Sequence, residues 1–204
     1  KILVKITSIQ SQIKRTNRYS IYVDGKYSFS LSEPALIEQG LAKSQELTET
    51  QIRELKKLQE EDNLYAQTLR YISYRARSEW EIVQYLKRKS ASPSLIDETL
   101  NKLRDIHLIN DQEYAKSYVR SRLLNRQLST RKLIFELKRK HIKEEDINSA
   151  LEEQGASDQD SLIKLIEKKK QQSKYSDDLK LMQYLSRQGF NYEDIKAAIQ
   201  KYKN

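Results

Sequence analysis

Apolar positions recur along this chain in two rhythms, and the change of rhythm divides it. From Tyr19 to Leu31 the period is two: Tyr19, Ile21 and Val23 alternate with Ser20, Tyr22 and Asp24, then Tyr27, Phe29 and Leu31 alternate again. Such alternation puts successive side chains on opposite faces of a strand. Asp24-Gly25 between the runs marks a two-residue hairpin turn, because Gly tolerates the positive φ of a type I′ turn. Ile2 to Ile13 predicts a third strand, joined through the basic loop Lys14-Arg15-Thr16-Asn17-Arg18. Beyond Ser32 the period becomes helical. Ser32 and Pro34 open a short helix ending near Gly40, and Thr48 with Gln51 is a capping box that starts a helix over Glu49–Glu60.

From Ser78 onward one pattern is written three times, at a spacing of roughly 50 residues. With Ser78, Ser129 and Asp177 in one column, Ile82, Leu133 and Leu181 coincide without a gap. So do Leu86, Leu137 and Leu185, then Ile96, Ile147 and Ile195, then Leu100, Leu151 and Ile199. Each copy predicts two helices. The first starts at the cap residue Ser78, Ser129 or Asp177 and stops near Ser90, His141 or Gly189. A further helix precedes each pair, over 62–74, 111–125 and 158–172, with Tyr65, Ala66 and Leu69, or Tyr114, Ala115 and Tyr118, or Leu162, Ile163 and Ile166 as its apolar side. The expected fold is mainly α: a curved, elongated tandem array of three three-helix repeats, with a small N-terminal hairpin or three-stranded sheet capping one end. The expected divisions are 1–61, 62–110, 111–157 and 158–204.

Composition fits an array. Hydrophobic residues are only 37% and charged ones 33%, which suits units that touch only their neighbours better than one large core. The absence of Cys removes a disulfide framework and a thiolate zinc site, and is compatible with a reducing cytoplasm, the expected location. No apolar run approaches the roughly 20 residues of a membrane span, and no signal-peptide pattern begins the chain. Position 1 is Lys rather than Met, which points to residues upstream. There is no glycine-rich phosphate loop, HExxH or GxSxG, and His107 and His141 lie apart at helix ends. No cofactor and no metal are expected, and a monomeric binder is expected rather than an enzyme.

The net charge is +9, and its placement says more than its size. From Lys116 to Lys140 lie Lys116, Arg120, Arg122, Arg126, Arg131, Lys132, Lys138, Arg139 and Lys140, against Glu136 alone. The acids Glu144, Glu145, Asp146, Glu152 and Glu153 fall in the next helix. One module thus has a basic and an acidic face, and a basic face is the footprint of a phosphate-rich or acidic partner. Taken alone, this favours a nucleic-acid-binding helical module, with an interaction scaffold meeting an acidic protein as the other reading.

On the helix after Ser129, Leu133 and Leu137 point inward, while Arg131 and Lys138 share one flank and Lys132 and Arg139 the other. Phe135 points outward between them, either to stack on a base or enter a partner, or to pack on a neighbouring repeat or the hairpin. Arg122 falls within an apolar stripe and is expected to be ion-paired. Lys87, Arg88 and Lys89 occupy the helix end equivalent to Lys138, Arg139 and Lys140, where cations also suit the helix dipole. Lys168, Lys169 and Lys170 read as a solvated run.

The segments YAQTLRYISYRARS at 65–78, LRDIHLINDQEYAKSYVRSR at 103–122 and STRKLIFELKRKHI at 129–142 resemble the RecX family, regulators of the bacterial recombinase RecA. The likeness is good over the first two repeats and looser over the third. Thr130 stands where Pro is common, and His141 where Gly is common. The resemblance implies an all-α array with a basic concave surface. It also implies binding along the groove of the filament that RecA forms on single-stranded DNA, and lower ATP hydrolysis, strand exchange and co-protease activity. It connects the chain with DNA repair, recombination and the SOS response. The expected contacts to RecA or DNA are Lys87, Arg88, Lys89, Lys116, Arg120, Arg126, Arg131, Lys132, Phe135, Lys138, Arg139 and Lys140, with weak, sequence-independent DNA binding. The alternative is a general nucleic-acid binder acting without RecA.

Overall fold

Asp24 and Gly25 both adopt positive φ, 47° and 79°, the signature of a type I′ turn. They join β2 (Arg18–Val23) to β3 (Lys26–Ser32), with Val23 opposite Lys26. The computed structural model describes residues 3–203. β1 (Leu3–Ser11) pairs antiparallel with β2, and β4 (Glu46–Thr48) adds a short edge to β1, giving the sheet order β3-β2-β1-β4. The hydrophobic pattern predicts three strands. β4 has only three residues, too few to display an alternation. The expected start of the first strand at Ile2 lies outside the described residues.

Inward residues of the sheet and the helices beside it, Ile6, Ile21, Phe29, Leu31, Ala35, Leu47 and Leu55, form one buried cluster. α1 (Glu33–Glu38) is capped by Ser32. α2 (Glu49–Ser73) begins at the Thr48–Gln51 capping box, as expected, and then runs for 25 residues without a break. The helix expected over Glu49–Glu60, with no clear break before the next, and the helix expected over 62–74 are one helix. Neither Pro nor Gly interrupts 49–73, so nothing in the backbone ends it. The buried side of its second half is Leu64 and Thr68, whereas Ala66 is exposed.

The remaining helices are α3 (Glu79–Arg88), α4 (Pro93–Asp105), α5 (Asp111–Asn125), α6 (Thr130–Lys138), α7 (Glu144–Glu153), α8 (Asp158–Lys170), α9 (Asp178–Arg187) and α10 (Tyr192–Lys203). Two compact units result: Lys1–Arg75 with Tyr85–Thr99, and Ala76–Gln84 with Leu100–Asn204. In the second unit, repeats 2 and 3 each bury a core of their own. Tyr114, Val119, Leu133, Leu137, Ile147 and Leu151 belong to one, and Leu162, Ile166, Leu181, Leu185, Ile195 and Ile199 to the other.

The three copies end their middle helices alike. Ser90, His141 and Gly189 take φ of 60°, 58° and 97°. The next residues, Ala91, Ile142 and Phe190, donate back to the carbonyls of Leu86, Leu137 and Leu185. This left-handed closure suits Gly best, and two of the three copies use other residues.

An Asp near the start of each repeat does the same work three times. Asp62 accepts from the N–H and hydroxyl of Ser32 at 2.8 and 2.6 Å. Asp111 accepts from the Glu79 N–H at 2.8 Å. Asp158 accepts from the Thr130 N–H and hydroxyl at 2.6 and 2.7 Å. In each case a carboxylate satisfies an orphan donor at the start of an earlier helix. At Asp111 burial outweighs these donors and raises the carboxyl above its ordinary pKa, with Glu79 and Asp146 nearby adding to the rise.

Candidate nucleic-acid interface

The face of α6 that turns from Leu133 and Leu137 is basic and carries an aromatic ring. Leu133 and Leu137 are fully buried, while Arg131, Phe135, Lys138 and Arg139 are exposed. Phe135 keeps 58% of its surface open, so it points outward rather than packing on a neighbouring repeat. The Arg139 guanidinium lies 5.8 Å from its ring centre, within cation–π range. Lys132 is half-buried, and its Nζ donates to the Arg187 carbonyl at 2.6 Å.

That contact ties α6 to the turn between α9 and α10. The Ser129 N–H also donates to the Gln188 carbonyl at 3.2 Å. Gly189 lies so close that a Cβ there would stand 2.3 Å from Ser129 Oγ and 2.8 Å from Lys132 Cβ. Beside this junction is a cleft of about 520 Å³, lined by Arg131, Lys132 and Phe135 on one side and by Arg187, Gly189, Phe190 and Tyr192 among those on the other. None of its lining residues is acidic.

Several other basic residues of 116–140 have partners within the protein. Lys116 bonds Glu153 at 2.8 Å and Glu113 at 3.3 Å; the Glu153 hydrogen bond leads the causes that raise its pKa. Lys140 pairs with Glu81 at 3.2 Å, and both side chains are largely buried. Lys138 meets Glu144 at 3.3 Å on the surface, where such pairs contribute little. The Arg120 Nε donates to Gln154 at 3.1 Å. Arg122, half-buried as its position in the apolar stripe suggested, bonds Glu136 at 3.2 Å and the Tyr118 hydroxyl at 2.8 Å. Burial opposes its charge, but Tyr118 and Glu136 more than offset that and raise its pKa.

Arg126 is exposed and lines a smaller cleft of about 270 Å³ with Lys168 and Lys169. The 168–170 run is not simply solvated. Lys169 sits 4.7 Å from the Tyr184 ring centre, and Lys170 bonds Asp178 at 2.6 Å. Lys87, Arg88 and Lys89 are all exposed at the end of α3, with Lys89 5.8 Å from the Tyr85 ring centre. Within its own unit, Tyr85 stacks on Tyr71 at 4.2 Å.

Arg187 and Tyr192 were not singled out from the sequence, although a signal existed. Arg187 completes the column of Arg88 and Arg139, so each repeat has Arg as the last or capping residue of its middle helix. Tyr192 stands opposite Glu144 in the aligned copies, and only the folded chain brings it to the cleft. Among the described residues no group of His, Asp and Glu is placed to hold a metal ion, and no helix is long and apolar enough to cross a membrane.

Three family descriptions match along the chain. The RecX N-terminal domain covers 4–48, the first RecX three-helix domain 65–103 and the second 110–151. The regulatory protein RecX of Listeria welshimeri is 34% identical, over 96% of this chain and 74% of its own length. That of Limosilactobacillus reuteri is 36% identical, over 97% and 77%. The chain belongs to the RecX family of regulatory proteins. A crystal structure of a regulatory protein RecX shares 33% identity and superposes with a TM-score of 0.71, over 95% of this chain and 99% of that one. A RecX from Lactobacillus salivarius is 28% identical, with a TM-score of 0.54 over 69% and 95%.

The two departures from the RecX pattern have physical counterparts in the fold. Thr130 is the first residue of α6, and its N–H reaches Asp158; Pro has no N–H to offer there. His141 takes a conformation that favours Gly, and its ring stacks on Trp80 at 4.7 Å.

Proposed function

We propose that this chain regulates the RecA recombinase, binding RecA and the filament it forms on single-stranded DNA and lowering ATP hydrolysis, strand exchange and co-protease activity. Membership of the RecX family carries this reading. The acid-free basic cleft with an exposed Phe135 supports it, because a filament presents phosphates and acidic side chains together. In this reading the chain is a cytoplasmic monomer that acts by binding rather than catalysis, in DNA repair, recombination and the SOS response. Its working parts are the N-terminal segment 1–61 and the three-helix units 62–110, 111–157 and 158–204. Arg131, Arg139 and Arg187, which have no ion pair among the described residues, carry more of the contact than Lys116 and Lys140, whose charges are already paired.

The deciding assay is RecA's DNA-dependent ATP hydrolysis with and without the protein. A dose-dependent fall is expected. An unchanged rate, with the protein still bound to DNA in RecA's absence, would leave a general nucleic-acid binder instead.

A further inference from the structure

We infer that the cleft between α6 and the α9–α10 turn holds one unstacked base of single-stranded DNA, with the flanking phosphates on Arg131 and Arg187. The inference deepens the reading above and rests on it for the presence of single-stranded DNA, but it assigns a ligand to a place in the fold.

The two junctions of the array are lined by different residues. In the aligned copies Trp80 corresponds to Arg131, Glu81 to Lys132, His141 to Gly189 and Glu144 to Tyr192. Between repeats 1 and 2 the Trp80 and His141 rings stack, and Glu81 pairs with Lys140. Between repeats 2 and 3 the same positions supply a guanidinium, an ammonium, no side chain and a phenol. Where two rings stack at one junction, the other carries a cleft of about 520 Å³, inside the roughly 300–1,000 Å³ range of small-ligand sites.

Its lining suits a nucleotide. Phe135 and Tyr192 stand on facing elements, 58% and 55% exposed, with the Arg139 guanidinium over one face of the Phe135 ring. Phe190 is buried beneath them. Every base offers a π-face, so aromatic platforms bind single strands without sequence preference. Arg131 and Arg187 have no acidic partner in the lining to neutralise them, and Arg139 lies beside Phe135. An acidic peptide would satisfy the cations but would leave both aromatic faces unused. In a duplex the bases are paired and stacked, and cannot enter without being pulled out.

The test uses the full chain without RecA and a fluorescent thymidine 20-mer that carries one 2-aminopurine, whose emission falls on stacking. Wild type is expected to quench it and to prefer the single strand to a blunt duplex by at least about 10-fold. Phe135→Ala and Tyr192→Ala should each weaken binding by about 5- to 150-fold, the range of one base–aromatic stack, and abolish the quenching. Phe135→Trp should restore both, and it decides the matter if an alanine variant melts below the assay temperature. Unchanged quenching in the alanine variants, equal binding to duplex, or equal competition by polyglutamate would each overturn the inference. RecA's ATP hydrolysis, measured alongside, separates the two readings. Loss of quenching in the variants with inhibition retained supports the cleft's ligand and assigns the inhibition to other contacts. Inhibition by a wild type that never quenches removes the cleft's ligand alone, and quenching with no inhibition removes the regulator reading alone.

Discussion

The junction between repeats 1 and 2 and the junction between repeats 2 and 3 use one plan with different chemistry. At both, the closing turn of one repeat's middle helix meets the start of the preceding repeat's middle helix. At both, an Asp from the later repeat caps that start, Asp111 on Glu79 and Asp158 on Thr130. The first junction is then completed by side chains, the Trp80–His141 stack and the Glu81–Lys140 pair. The second is completed by backbone: Ser129 N–H on the Gln188 carbonyl, Lys132 on the Arg187 carbonyl, and Gly189 against both helix-start residues. Side-chain completion fills the surface and neutralises it. Backbone completion leaves cations and aromatics open. A repeat array can thus keep its joints and still leave one of them open.

The largest effect expected follows from that difference. Gly189→Val adds a Cβ where Ser129 Oγ would lie at 2.3 Å, on a backbone at φ 97°. Overpacking and left-handed strain together should destabilise the protein by about 2–4 kcal/mol. His141→Gly loses a ring stack but relieves the same strain, so its net change should stay within about 1 kcal/mol. Thermal melts of the pair sharpen the comparison, and equal losses would break it.

Next comes the shared cap. Asp158→Ala leaves the Thr130 N–H and hydroxyl without their acceptor and should lower stability by about 1–2 kcal/mol, seen in denaturant midpoints. A smaller contrast concerns the lysines. Lys140→Met removes one partner of Glu81, whose side chain is 12% exposed and still accepts from the Ser78 N–H, and should destabilise by about 1 kcal/mol. Lys132→Met frees only a carbonyl beside solvent and should change stability by less than about 0.5 kcal/mol.

The fold was legible from the sequence where the pattern was long. Four apolar columns fixed the repeat, and Asp24-Gly25 fixed the hairpin. The α6 wheel placed Leu133 and Leu137 inside and Phe135 outside. Short or tertiary features were not legible. β4 is too brief to alternate. Arg18, expected in a basic loop, begins β2 and is 5% exposed, held by Ser30 and Asp62; its partner lies 44 positions away. For the candidate site, charge density marked the right helix but could not tell Arg131 from Lys116. Pairing decides that, and pairing depends on which acids the fold brings near. Arg187 was visible as a column, whereas Tyr192 needed the fold.

The smallest effect expected is a pH dependence at the first junction. Burial raises the Asp111 pKa above its unfolded value. As pH falls through that raised pKa, the folded state binds a proton before the unfolded state does, so Asp111's contribution to stability grows toward acid and is lost as pH rises. Stability of wild type relative to Asp111→Asn should therefore increase between neutral and mildly acidic pH, as followed by melting temperature. A difference that shrinks on acidification would contradict this.

The proposed regulation of RecA is expected to depend on the open junction rather than on net charge. Its most direct measurement is RecA's DNA-dependent ATP hydrolysis titrated with two charge-reversed proteins. One carries Arg131→Glu, Arg139→Glu and Arg187→Glu; the other carries Lys43→Glu, Arg53→Glu and Lys56→Glu at exposed positions of the N-terminal unit. Both change net charge equally, and all six sites are exposed, so both variants should fold. Loss of inhibition by the first with retention by the second is the expected result. Equal loss in both, with both folded, would make net charge the cause and contradict the account.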